Sequence, residues 1–340
     1  MGIPGEDETG FAAGLEAVVR RRFGDAAQLV GLERLSGGAS QELWSFDVET
    51  GRARLPLILR RNPGGLVQRE SAAGMETEAR LIELARAAGT LAPEVVHVLQ
   101  PHEGLGRGYL MERIPGETIA RRSLRDAQYA DARPKLARQL GAAAAHIHAI
   151  DTAAAGPLRT VTPESSLEAS YAGYQANSMS RPVVEWAFRW LRDHLPAPPP
   201  RQTVVHGDMR NGNIIVGPEG LRAVLDWEVV HLGDPMEDLG WMCVTSWRFG
   251  EIDKPVGGFG PRDELFAGYE AVSGERVDAD RVRFWEVMGT LRWGMSCAMM
   301  AREFQAGDRS VEKAAIGRRA SETAIDLLAI LAPRGAYRHA

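Results

Sequence analysis

One run constrains this chain more than any other. Val204-Val205-His206-Gly207-Asp208-Met209-Arg210-Asn211-Gly212-Asn213-Ile214-Ile215-Val216 sets His-Gly-Asp-x-x-x-x-Asn between two apolar segments. Four fixed residues at fixed spacing arise by chance in roughly 2 of 1,000 random chains of this length. The next segment reads as strand, turn, strand: Ile214-Ile215-Val216, then Gly217-Pro218-Glu219-Gly220, then 221–225. A turn centred on Pro218-Glu219 puts Asn213 opposite about Val224, with Asp226 two residues further along the partner strand. That offset is about 6–7 Å along the strand and about 4.8 Å across it, so an amide oxygen and a carboxylate can reach one metal ion. Mg²⁺ takes oxygen ligands at about 2.1 Å, one or two from protein and others from phosphate. The loop before Asn213 keeps Asp208 nearby, where it can accept a proton from an attacking hydroxyl. A carboxylate base plus an Asn/Asp metal pair is the minimum set for phosphoryl transfer, whose loose transition state needs positioning and charge neutralisation. A surface hairpin with chance polar residues would leave the joint spacing unexplained.

Patterning divides the chain in two. The first part predicts a short amphipathic helix over 11–23, strands over 29–35, 41–48 and 55–61, a helix over 76–88 ended by Gly89, and strands over 95–99 and 108–112. Connections this short make hairpins, so the sheet should be antiparallel. Beyond Ile114-Pro115-Gly116 the patterns are helical, over 134–150, 261–272, 278–304 and 311–331, and the 204–226 segment is the only clear β signal. The expected organisation is α+β, with a nucleotide-binding lobe over 1–113 and a catalytic and substrate-binding lobe over 114–340.

Composition excludes more than it selects. A net charge of −5 without a basic cluster argues against a nucleic-acid partner. No stretch reaches the ~18 uninterrupted apolar residues of a membrane span. Glu6, Asp7 and Glu8 stand where a signal peptide carries positive charge, so a cytoplasmic protein is expected. Cys243 and Cys297, far apart in sequence, read as buried free thiols rather than a disulfide or zinc site.

At the 206–213 loop the chain resembles the aminoglycoside phosphotransferase-like family, relatives of the protein kinases. Its HGDxxxxN pattern stands here as His206 to Asn213, its apolar-Asp-aromatic-Glu run as Leu225-Asp226-Trp227-Glu228, and its acidic stretch as Gly233-Asp234-Pro235-Met236-Glu237-Asp238-Leu239-Gly240. The resemblance runs from about Val30 to the C-terminal helices and implies a two-lobed protein-kinase-like fold with ATP, or GTP, and Mg²⁺ in the cleft. It implies Asp208 as base, Asn213 and Asp226 as metal ligands, and His206 and Asp238 as supports of the loop. An ordinary charge at a helix N-terminus accounts for Asp238 equally well, and a satisfied semi-buried histidine is the simpler account of His206.

The same resemblance makes Leu35-Ser36-Gly37-Gly38-Ala39-Ser40 the phosphate-covering loop, with Ser36, Gly37, Gly38 and Ser40 facing nucleotide, although an ordinary hairpin turn has the same composition. The usual third-strand lysine is replaced by Arg60 or Arg61; alternation sends one into the cleft and the other to solvent, and the register favours Arg60. Glu78, or less naturally Glu76, would pair with it. Backbone groups between Glu112 and Ile114 would meet the base of the nucleotide. An arginine in the lysine position resembles the branch found in certain acyl-CoA dehydrogenases. Segment 278–304 mixes arginine with acid and carries Trp285, Met288, Trp293 and Met295. It suits an apolar or anionic hydroxyl substrate, such as a hydroxyacyl-CoA, better than a polycation. An aminoglycoside or other antibiotic acceptor is the alternative; an inactive nucleotide-binding regulatory module is the other.

Overall fold

A computed structural model describes residues 8–35, 41–51, 53–64, 73–176 and 181–332. Five strands form one antiparallel sheet: β1 (Gln28–Leu35), β2 (Glu42–Thr50), β3 (Ala53–Asn62), β4 (Val95–Val98) and β5 (Arg107–Glu112), in spatial order β1-β2-β3-β5-β4. Helix α1 (Glu8–Phe23) covers one face, and α2 (Met75–Ala88) lies on the other. Strand alternation along β3 sorts its side chains between them. Leu57 and Leu59 join Phe11, Leu15, Val19, Trp44 and Phe46 in a small apolar core under α1. On the other face, Leu81, Ile82 and Ala85 of α2 and Tyr109 belong to the larger core that continues into the helical part.

That face assignment corrects one expectation. Arg61 does not reach solvent. Its side chain is 2% exposed and pairs with Glu42 at 2.8 Å, and its guanidinium lies 4.0 Å over the ring of Phe11. Alternation did turn it away from Arg60, but α1 covers the side to which it turns.

The helical part contains α3 (Ala120–Arg125), α4 (Arg133–His148), α5 (Thr152–Ala155), α6 (Pro163–Ala176) and α7 (Pro182–Asp193). After the β elements come α8 (Met236–Cys243), α9 (Arg262–Ser273), α10 (Ala279–Gln305), α11 (Val311–Gly317) and α12 (Ala320–Leu331). Asp278 caps α10, accepting the Arg281 N–H at 3.0 Å. The single helix expected over 311–331 is broken between α11 and α12, where Gly317 packs against the backbone of Ala301. Strands β6 (Thr203–Val205) and β9 (His231–Gly233) pair with each other, as do β7 (Ile214–Gly217) and β8 (Gly220–Val224). The first of these pairs went unseen in the sequence, its strands being three residues each. Among the described residues no helix is long and apolar enough to cross a membrane. Cys243 and Cys297 are free and buried, and burial pushes each thiol up to about 11.

Two backbone contacts flank the connection between the parts. The Arg113 N–H donates to the Pro56 carbonyl at 2.9 Å, just past the end of β5. Glu117 then exchanges both backbone hydrogen bonds with Val216 of β7 at 2.9 and 3.0 Å. Gly116 between them is required by close approach: a Cβ would lie 2.4 Å from Ile215 Cγ2 and 2.9 Å from the Val216 carbonyl.

Candidate active site

The β7–β8 hairpin brings the site together, one residue away from the spacing read in the sequence. A turn at Pro218-Glu219 alone would pair Asn213 with Val224. A bulge between Ile215 and Val216 shifts the upper ladder, so Ile214 faces Val224 and the Asn213 carbonyl accepts the Leu225 N–H at 2.8 Å. His206 Nε2 holds the Leu225 carbonyl at 3.1 Å from the other side. Both ends of the 206–213 loop therefore grip the residue immediately before Asp226. Asp226 itself has φ 67, the left-handed region that a non-glycine residue occupies only when its surroundings over-determine it.

Three donors fix the Asp208 carboxylate. Oδ1 accepts from Arg210 Nε at 3.0 Å and from Trp241 Nε1 at 2.8 Å, and Oδ2 accepts from Asn213 Nδ2 at 2.7 Å. Asn213 Nδ2 also donates to the Asp208 carbonyl at 2.9 Å. With the nitrogen turned to Asp208, Asn213 Oδ1 faces away and accepts no hydrogen bond among the described residues.

The supports are buried. Asp238, fully enclosed, accepts the backbone N–H groups of His206 and Gly207 at 2.8 Å each and pairs with His148 Nε2 at 3.0 Å. Burial would raise its pKa, but the His148 hydrogen bond, the neighbouring histidines and the Gly207 amide hold the carboxyl below its usual value. His206 Nδ1 accepts the Asp208 N–H at 3.2 Å, so the ring is the neutral tautomer with its proton on Nε2. Burial lowers its pKa against the pull of Asp238, Asp208 and Asp226. The unfolded chain therefore takes up this proton first, near pH 6.5. The stability linked to His206 is present above that pH and declines as pH falls toward the folded value. We expect the melting midpoint to drop on acidification from neutral pH. In a His206→Gln variant the drop should be shallower, and an equal slope in both melts would contradict it.

Arg60 reaches the same place from β3. Its guanidinium lies 2.8 Å from Asp226 Oδ1, 3.2 Å from Glu78 Oε2 and 3.9 Å from Glu228 Oε2, one positive charge among three carboxylates. Glu78, in the first turn of α2, is fully buried; burial raises its pKa against the Arg60 charge, with Asp226 and Glu228 pushing the same way as burial. Tyr109 donates to Glu78 Oε2 at 3.3 Å, while Arg60 Nε and Glu78 Oε1 are buried without a hydrogen-bond partner among the described residues. Glu76 instead turns outward to Arg107. The Glu112 N–H is taken by the Glu94 carbonyl at 2.8 Å and the side chain is exposed, whereas the Ile114 amide has no partner among the described residues. Ser36, Gly37, Gly38 and Ser40 lie outside the described residues.

Sequence reasoning missed Trp241, Arg210 and His148 as contacts of this site. Trp241 carried a readable signal: it stands three residues after Asp238, on one helix face with it. His148 is 90 residues from its partner and carried none.

A profile of the phosphotransferase enzyme family matches residues 31–279. Mouse acyl-CoA dehydrogenase family member 10 is 32% identical over 206 residues, a match covering 56% of this chain and only 18% of that protein. A solved structure from Ralstonia eutropha, assigned to the aminoglycoside phosphotransferases, superposes with a TM-score of 0.70 at 22% identity over 94% of this chain and 97% of that one. A thermostable mutant of aminoglycoside phosphotransferase APH(4)-Ia, in ternary complex with AMP-PNP and hygromycin B, gives a TM-score of 0.59 at 17% identity over 92% and 98%. The chain shares with both the two-lobed, protein-kinase-like fold.

Proposed function

Because the chain belongs to the phosphotransferase enzyme family, we propose that it moves the γ-phosphoryl group of ATP, or of GTP, onto a hydroxyl of a small molecule. The observation that carries this reading is the double grip on Leu225 by His206 and Asn213, which fastens both ends of the 206–213 loop to the residue before Asp226.

In this reading Asp208 takes the hydroxyl proton as the substrate oxygen forms its bond to the γ-phosphorus, and the β,γ-bridging P–O bond breaks to release the nucleoside diphosphate. The residues present fit Mg²⁺. Asn213 Oδ1 has no hydrogen bond to give up, Asp226 Oδ2 has none among the described residues, and the carboxylate excess around Arg60 favours a cation. No three His, Cys, Asp or Glu side chains among the described residues form a metal cage, so phosphate oxygens would complete the shell, as suits Mg²⁺. The ion would neutralise charge on the transferring phosphates. Arg60 would hold phosphate oxygens with Glu78 behind it, and a guanidinium can do so with two parallel N–H bonds. Backbone at Ile114 would meet the base. We set the border between the lobes after Arg113, whose N–H still bonds Pro56 of β3, and before Glu117, whose backbone pairs with Val216 of β7.

For the acceptor we favour an apolar or anionic alcohol of the hydroxyacyl-CoA kind. Arg210 puts a positive charge 3.0 Å from the proposed base, where a polycation would be repelled, and the mouse relative belongs by name to acyl-CoA dehydrogenases. An antibiotic acceptor has the hygromycin-bound neighbour on its side. Nucleotide consumption measured against hydroxylated compounds of each charge type tests the choice; Mg-nucleotide binding with turnover on none of them would leave a regulatory module. Asp226→Ala is expected to weaken Mg-nucleotide binding by about tenfold or more, the loss of one ligand-anchored interaction. Unchanged affinity by calorimetry would remove the metal role.

A further inference from the structure

Helix α8 acts on the 206–213 loop twice from one face. Asp238 holds the backbone of His206 and Gly207, and three residues later Trp241 donates to the Asp208 side chain. Gly240, between them, lets the helix sit against α10: a Cβ there would lie 2.5 Å from Trp285 Cβ and 2.8 Å from the Val282 carbonyl. The Trp241 ring rests on Trp247, centroids 5.1 Å apart, and Trp247 in turn carries the Arg210 guanidinium at 4.5 Å. Both donors to Asp208 Oδ1 are thus backed by one aromatic row, and neither belongs to the loop's histidine–asparagine frame.

An ionised carboxylate offers about four lone-pair sites, two on each oxygen. Arg210 and Trp241 fill both sites on Oδ1, and Asn213 fills one on Oδ2. A single site remains, on Oδ2. We propose that Trp241 is a positioning residue: with Arg210 it occupies Oδ1 and so makes Oδ2, the oxygen beside Asn213, the atom that takes the proton. This rests on Asp208 being the base. Losing the indole N–H opens one lone pair on Oδ1 while Arg210 and Asn213 still hold the two oxygens, so two directions instead of one compete for the proton.

Trp241→Phe keeps a ring against Trp247 and removes the donor. The test uses the full chain and slow Mg-ATP hydrolysis with water as acceptor, alongside calorimetric Mg-ATP affinity and the melting midpoint. The expected result is a kcat lowered about 10- to 100-fold, the scale of a small misplacement of a reacting group, with affinity and midpoint unchanged. A wild-type kcat in Trp241→Phe while Asp208→Asn is inactive would overturn this inference alone. A lower kcat accompanied by an equal loss of affinity or a lower midpoint would make Trp241 merely structural, and overturn it too. If Asp208→Asn hydrolyses ATP as the wild type does, the base assignment itself falls.

Discussion

Asp208→Asn should lower phosphoryl transfer by about 10² to 10⁴, the share a positioned general base supplies, while Mg-nucleotide affinity changes only slightly. The arrangement of donors explains the asymmetry. The amide oxygen of the new side chain can still accept from Arg210 and Trp241, but its nitrogen would then face Asn213 Nδ2, which donates to Oδ2 in the wild type. Asn213 keeps its second acceptor, the backbone carbonyl of residue 208 at 2.9 Å, so its own oxygen stays turned outward. On the proposed roles, the base is lost and the ligand side is retained. Initial rates with a hydroxyl acceptor, set beside nucleotide titrations of both proteins, check this; wild-type turnover in the variant would remove Asp208 from the chemistry.

Arg61→Ala should destabilise the fold by roughly 1.5–3 kcal/mol, the scale of a lost hydrogen bond to a charged group, because Glu42 loses its buried arginine while Arg34 at 3.0 Å and the Trp44 indole at 3.2 Å stay with it. Glu42 is 12% exposed, and its carboxyl sits below the usual range because hydrogen bonds from Trp44 and Arg61 outweigh the effect of burial. The Phe11 ring and the Leu105 carbonyl lose a partner as well. Arg60→Ala should lower the melting midpoint as well, since fully buried Glu78 loses its positive partner, and should also lower turnover because the same guanidinium reaches Asp226. Thermal melts and rates on the two variants separate the roles of these adjacent arginines. If Arg61→Ala melts like the wild type, α1 does not enclose this pair.

The parts of the site legible in sequence were those within a few residues of one another. The 206–213 loop and its hairpin could be read because turn chemistry and strand alternation act locally. The bulge escaped because nothing in Leu221-Arg222-Ala223 marks Arg222 as the extra residue of the ladder, and the Asn213 register was off by one for that reason alone. Register turned Arg60 to the side on which it meets Glu78 and Asp226. Arg61 was wrongly sent to solvent, since alternation says which way a side chain turns and not whether a helix waits there. Glu78 was preferred to Glu76 by resemblance, and Arg60 is the residue it meets. Contacts closed over long sequence distance depend on how α4 and α8 pack. Helical spacing could put Trp241 on the face of Asp238 but not against Asp208, and His148 left no local trace at all.

Between Arg113, fastened to β3, and Glu117, fastened to β7, only Ile114-Pro115-Gly116 is unanchored on its backbone amides. Three residues span at most about 11 Å, and Arg222 holds the Pro115 carbonyl at 2.6 Å. The connection therefore holds the sheet and the helical body close together at this edge. A second tie lies beside Arg60 and Asp226, where the Ala73 N–H donates to the Glu228 carbonyl at 2.8 Å, so the two parts are fastened at both places.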